Sequence, residues 1–68
     1  MEISARNHLR GTIKAVTLDG VMAEVVVDVG GQEVVAAITR SSAQRLGLKV
    51  GDQVVAIIKA TEVMMGKG

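Results

Sequence analysis

The sequence predicts an all-β fold with one short helix, and three observations predict it. Apolar runs of strand length recur along a chain of 68 residues, with glycine-containing turns between them. Only the stretch from Ser41 to Leu46 reads as helical. Two runs, Val34 to Ile38 and Val54 to Ile58, are apolar at consecutive positions, so both faces of those strands need cover. A sheet with one wet side does not accept such strands. A barrel whose outside is covered by another subunit does.

Taken in order, Met1 to Asn7 is mixed and carries Ile3-Ser4-Ala5-Arg6-Asn7. Leu9 to Leu18 alternates loosely, with Leu9, Gly11, Ile13 and Ala15 on one side and Arg10, Thr12, Lys14 and Val16 on the other. This reads as a strand with one polar face, in which Gly11 marks a bend or bulge. Asp19-Gly20 signals a two-residue type I′ hairpin turn. From Val21 to Val29 the alternation is clean: Val21, Ala23, Val25, Val27 and Val29 share one face. Gly30-Gly31 signals a second hairpin, and Gln32 to Thr39 forms the third strand. Ser41 is a good N-cap, with Gln44 three residues on completing a capping box, and Gly47 ends the helix in the left-handed conformation. Val50-Gly51-Asp52 turns the chain into a fourth strand, Gln53 to Ala60. Glu62 to Met65 adds a last short strand or a turn, and Gly66 to Gly68 frays. The order β-β-β-α-β, plus that short final element, matches a small OB-like Greek-key β-barrel, one domain over residues 1–68.

Composition narrows the function. A chain this short buries only about 60% of its unfolded surface. It has no Phe, Tyr or Trp to anchor a core, yet 49% of its residues are apolar. That combination implies burial against copies of itself. There is no cysteine and only one histidine, His8, which leaves no disulfide framework, thiolate metal site or histidine cluster within one chain. Eight basic and seven acidic residues give a net charge of +1, too balanced for the basic face of a non-specific nucleic-acid binder. No apolar run approaches membrane-spanning length and no signal peptide is visible, so the expectation is a cytoplasmic protein with no membrane partner.

Catalysis is not expected. General acid–base chemistry needs titratable groups paired in a cleft, whereas Asp19, Glu24, Asp28, Glu33, Asp52 and Glu62 fall mostly in turns or on wet strand faces. His8 has no evident orienting partner and reads as a partly exposed side chain. Gly30-Gly31 lacks the spacing and following helix of a phosphate loop. Three polar clusters remain: Ser4-Ala5-Arg6-Asn7, the hydroxyls of Thr39, Ser41 and Ser42 at the helix start, and Lys59-Ala60-Thr61. If a barrel gathers them, Arg6 and Lys59 supply two positive charges, and hydroxyls and backbone amides supply further donors, an inventory that suits a tetrahedral dianion. From spacing alone, Arg6 and Lys59 read more readily as solvated surface charges, and the helix start as a capped linker.

Ser4-Ala5-Arg6-Asn7, Ile38-Thr39 with Ser42-Ala43, Leu46-Gly47-Leu48-Lys49-Val50-Gly51-Asp52, and Lys59-Ala60-Thr61-Glu62-Val63-Met64 together resemble the molbindin family of single Mop domains, a TOBE-like family. The resemblance runs from Ile3 to Met65. It implies a cytoplasmic protein that binds molybdate or tungstate for storage and homeostasis, with no resident cofactor, because the metal arrives as an oxyanion. It implies a homo-hexamer built as a trimer of dimers, with anions held between subunits. Ser4 and Arg6 would come from one subunit; Thr39, Ser42, Lys59 and Ala60 would line the same pocket from its neighbour. Many relatives carry serine at the position of Ala60, where this chain offers a backbone amide instead. The competing class is a swapped-hairpin dimeric DNA-binding transition-state regulator, which also places a short helix and a similar turn before a strand. Against it stand the missing proline in that region and the missing basic face.

Overall fold

Three strands joined by hairpins, and a fourth that returns to lie beside the first, form one antiparallel sheet in the order β3-β2-β1-β4. That is the Greek-key order expected from the sequence. The computed structural model describes residues 1–68, with β1 at Asn7–Asp19, β2 at Met22–Val29, β3 at Gln32–Thr39, α1 at Arg40–Leu46 and β4 at Gln53–Ile58. A 3₁₀ turn at Ala60–Glu62 follows β4, and no strand comes after it. The short final strand offered as one reading of Glu62 to Met65 does not form: Glu62 ends the 3₁₀ turn, and Val63 to Met65 lie outside every regular element. The sheet curls into a half-barrel whose free edges are β3 and β4. No helix is long and apolar enough to cross a membrane.

Strand β2 supplies most of the core. Ala23, Val25 and Val27 are buried, while on the other face Met22, Glu24 and Asp28 are exposed and Val26 is half-buried, the period-2 pattern read from the sequence. Ile13 of β1 completes the cluster with Val25 and Val27. Beyond Ile13 the alternation read from β1 breaks down. Ile13 pairs with Val27 and Ala15 with Val26, which leaves Lys14 as the extra residue of a β-bulge. The bulge shifts the faces by one residue, so Val16, not Ala15, packs against the core cluster. Lys14, thrown outward, forms an ion pair with Glu33 of β3 at 2.5 Å. The hydrogen bond that Lys14 donates to Glu33, and the Glu33 charge, raise the Lys14 pKa above the ordinary lysine value. The bulge is not at Gly11: a Cβ there would lie 2.5 Å from the Asp28 carbonyl oxygen, so this glycine marks a point of close approach.

The first hairpin also differs from the expectation. Asp19 pairs with Met22, which leaves Gly20-Val21 as the two-residue loop. Only Gly20 has positive φ, at 59°, the pattern of a type II′ turn rather than type I′. A valine at the second position cannot adopt the positive φ that type I′ requires. The helix is capped two residues earlier than read. The Thr39 hydroxyl accepts the Ser42 amide at 3.1 Å, and Ser41 lies inside the first turn. Gly47 ends α1 at φ 63°, and Leu48 N–H closes onto the Ala43 carbonyl at 3.1 Å, a Schellman motif. Ala43 is the buried residue of α1, which packs on β2 and β3.

The connection from α1 to β4 is fixed by its own hydrogen bonds. Asp52 accepts from the Lys49 ammonium at 2.8 Å and from the Lys49 amide at 3.1 Å. These bonds hold the Asp52 carboxyl below the usual aspartate range. The same turn docks on β1: Gly51 N–H donates to the Ile13 carbonyl at 2.8 Å, and Ile13 N–H donates to the Asp52 carbonyl at 2.9 Å.

Only five residues are buried within one chain. The consecutive apolar runs of β3 and β4 keep only partial cover, with Val35 59%, Val55 39% and Ile57 38% exposed. An open apolar groove of about 1020 Å³ runs between the free edges, lined by Val34, Ala36 and Ile38 from one side and Val54, Ala56 and Ile58 from the other.

Candidate functional site

The start of β1 and the end of β4 are paired, Asn7 with Ile58 and His8 with Ile57. The segment before β1 and the segment after β4 therefore emerge side by side. Between them lies a shallow concavity of about 510 Å³, lined by Ser4 and Arg6 from the first segment and Lys59, Ala60 and Thr61 from the second. Ile57 forms part of its wall. No carboxylate lines it. The ion pairs of the chain are Lys14–Glu33 and Lys49–Asp52, so Arg6 and Lys59 carry unneutralised charge into this concavity. Two free cations with hydroxyls and backbone amides nearby make an electropositive cup suited to an oxyanion. No group of three His, Cys, Asp or Glu side chains is placed to hold a bare metal ion.

Four of the six residues singled out from the sequence, Ser4, Arg6, Lys59 and Ala60, meet here. Thr39 and Ser42 do not. Thr39 pairs with Met22, and Met22 with Asp19 at the far end of the thirteen-residue β1 from Asn7. Their hydroxyls serve each other: Thr39 Oγ1 donates to Ser42 Oγ at 2.7 Å while accepting the Ser42 amide. Ser41 Oγ lies 3.4 Å from Thr39 Oγ1. One chain thus presents two separate donor sets.

One residue of the concavity and one beside it escaped sequence reasoning. Thr61 lines it beside Ala60, and the only signal was its place in the Lys59-Ala60-Thr61 cluster. His8, read as lacking a partner, has one: its Nε2 lies 2.6 Å from the Ala5 carbonyl oxygen. A carbonyl can only accept, so Nε2 carries the hydrogen. The bond depends on the chain doubling back just before β1, which no local pattern announces.

Residues 3–65 match the TOBE domain family. The chain is 46% identical over 66 residues to molybdenum-pterin-binding protein 3 of Clostridium pasteurianum, covering 96% of this chain and 97% of that one. A molybdate-binding protein from Sporomusa ovata has a structure that superimposes with a TM-score of 0.93 at 48% identity, over 98% of this chain and 100% of the other. ModG, described as a cytoplasmic molybdate-binding protein and solved with molybdate bound, matches with a TM-score of 0.84 at 41% identity, over 88% of this chain and 43% of its own. The fold, the near-complete coverage and the level of identity agree, and the chain belongs to the TOBE domain family, alongside the molybdenum-pterin-binding (Mop) proteins.

Proposed function

We propose that this protein binds molybdate, and tungstate in the same pocket, at sites completed between subunits of a homo-oligomer. The assembly is a hexamer built as a trimer of dimers, and its role is to store and buffer the oxyanion in the cytoplasm rather than to catalyse a reaction. The observation that carries the reading is the meeting of Arg6 and Lys59, both free of carboxylate partners, in one cup.

A molybdate ion brings its four oxygens already bound to the metal, so the protein need only hydrogen-bond them. The planar Arg6 guanidinium offers a fork to two oxygens, and the Lys59 ammonium acts as a point charge. The Ser4 hydroxyl and the Ala60 backbone amide add neutral donors. Thr39 and Ser42 stand apart from this cup in one chain and reach it from a neighbouring subunit. The half-exposed apolar faces of β3 and β4 support that assembly, since a chain with five buried residues has little core of its own.

Calorimetric titration with molybdate, with light scattering on the same sample, tests the reading. Saturable binding by a hexamer is the expected result. A folded monomer, or a hexamer that takes up no molybdate, overturns it. Duplex DNA binding without molybdate binding points to the swapped-hairpin regulator instead. Tungstate should compete with molybdate. Sulfate, equal in charge but with shorter bonds to oxygen, should bind at least about tenfold more weakly, a difference of ~1.4 kcal/mol.

A further inference from the structure

Half of the proposed anion site stands on a segment with almost no anchorage. Ser4 and Arg6 belong to Met1–Arg6, which precedes β1 and lies outside every helix and strand. The hydrogen bonds outside regular elements tie this segment down at one point only, from the His8 ring to the Ala5 carbonyl. The other half of the site, Lys59 and Ala60, follows directly from β4. His8 joins the two halves. It lies in β1 opposite Ile57, a wall residue two positions before Lys59, and its ring reaches back to the residue between Ser4 and Arg6.

We infer that His8 is a positioning residue for the oxyanion site: its Nε2–H fixes the Ala5 carbonyl and so presets Ser4 and Arg6 against Lys59 before the anion arrives. This rests on the anion-binding reading above. The physical basis is preorganisation. A tethered segment has less conformational freedom left to lose when it closes on a ligand, and that saving appears as affinity. His8 itself is exposed and lines no part of the concavity, so it acts through Ser4 and Arg6 rather than on the anion.

The experiment compares wild type, His8→Ala and His8→Gln by molybdate calorimetry and by backbone NMR relaxation of the ligand-free protein. Glutamine places an amide N–H the same number of bonds from Cα as histidine Nε2, so it retains the tether. His8→Ala should weaken molybdate binding about three- to tenfold, the range of one net hydrogen bond, while His8→Gln stays within about twofold of wild type. The amides of Ser4 to Arg6 should gain fast motion in His8→Ala and not in His8→Gln. In an Arg6→Ala background, His8→Ala should cost much less than in wild type, because the residue it positions is gone. Equal affinity of wild type and His8→Ala, or a loss that glutamine does not restore, overturns the positioning role while leaving the anion site standing. Absence of molybdate binding by wild type overturns both, and is recognised by that sample alone.

Discussion

Strands β2 and β4 are both mostly apolar, yet the chain treats them in different ways. In β2, polar and apolar residues alternate; one face is buried at Ala23, Val25 and Val27, and the other meets water through Glu24 and Asp28. In β4, Val54 to Ile58 offers no polar face, and its outward residues Val55 and Ile57 remain more than a third exposed. The first strand is satisfied by its own chain and the second is not. Since apolar surface left in water forgoes roughly 25 cal/mol per Å² of burial, the difference separates what the chain covers for itself from what it leaves uncovered. The candidate anion cup opens at the end of the unsatisfied strand, between Ile57 and Lys59.

The same substitution placed in each strand makes the widest break in this comparison. Val25→Asp puts an unpaired carboxylate in the core, and a chain of this length has a total stability on the order of 3–10 kcal/mol, so the expected outcome is loss of the cooperative thermal transition. Val55→Asp faces outward and sits opposite Arg10 in the register, so the monomer fold should persist by circular dichroism while light scattering reports a smaller species. A Val55→Asp protein that keeps the wild-type assembly would show that copies of the chain do not cover this face.

Next in size are the residues of the cup. Hydrogen bonds to charged groups contribute roughly 1.5–3 kcal/mol, so Arg6→Ala or Lys59→Ala should weaken molybdate binding about ten- to hundredfold in calorimetry. Ser42→Ala should cost less, as a neutral hydroxyl donor, and only in the assembled protein. Arg45→Ala, inside α1 beyond its first amides, should leave affinity within about twofold. Loss of binding in Arg45→Ala with none in Arg6→Ala or Lys59→Ala would put the site at the wrong end of the chain.

Smaller again is Gly11→Ala, which tests where β1 passes between its two neighbours. Its new Cβ would meet the Asp28 carbonyl at 2.5 Å and Val27 Cγ1 at 2.6 Å. Backbone cannot move aside as a flexible side chain can, so a loss of about 1–3 kcal/mol in denaturant unfolding is expected, with the assembled state retained.

Where local chemistry decides the structure, it could be read from the residues. The alternation of β2, the Gly30-Gly31 hairpin and the Gly47 helix end each depend on residues within a few positions of one another, and each appears where expected. The bulge at Lys14 was hidden because it arises from β1 changing partners: its first half pairs with β4 and its second with β2. The N-cap shifted from Ser41 to Thr39 because both are good caps, and the strand register ending at Thr39–Met22 decides between them. In the cup, the pairing of Asn7 with Ile58 brings Ser4, Arg6, Lys59 and Ala60 of one chain together, whereas the resemblance implied that Lys59 and Ala60 reach Ser4 and Arg6 from a neighbouring subunit. The separation of Thr39 and Ser42 from them follows from strand register, a long-range property that composition does not carry.

The smallest expected effect concerns Asp52, in the turn that feeds β4 and docks on Ile13. The bond from the Lys49 ammonium, followed by that from the Lys49 amide, lowers its pKa from the ordinary aspartate value. A carboxyl with a lower pKa folded than unfolded adds stability at pH above the unfolded value and loses that contribution as pH falls through the folded one. Asp52→Asn keeps an oxygen able to accept the Lys49 amide but removes the charge that attracts the ammonium. Its stability deficit should therefore be present at neutral pH and shrink to nothing in acid below the aspartate range. Because Asp52 is partly exposed and the Lys49 ammonium is exposed, the deficit should also fall in high salt. Denaturant midpoints of both proteins across that pH range make the test. A deficit independent of pH and salt would mean that Asp52 holds the entry to β4 through its shape and neutral hydrogen bonds, with no contribution from its charge.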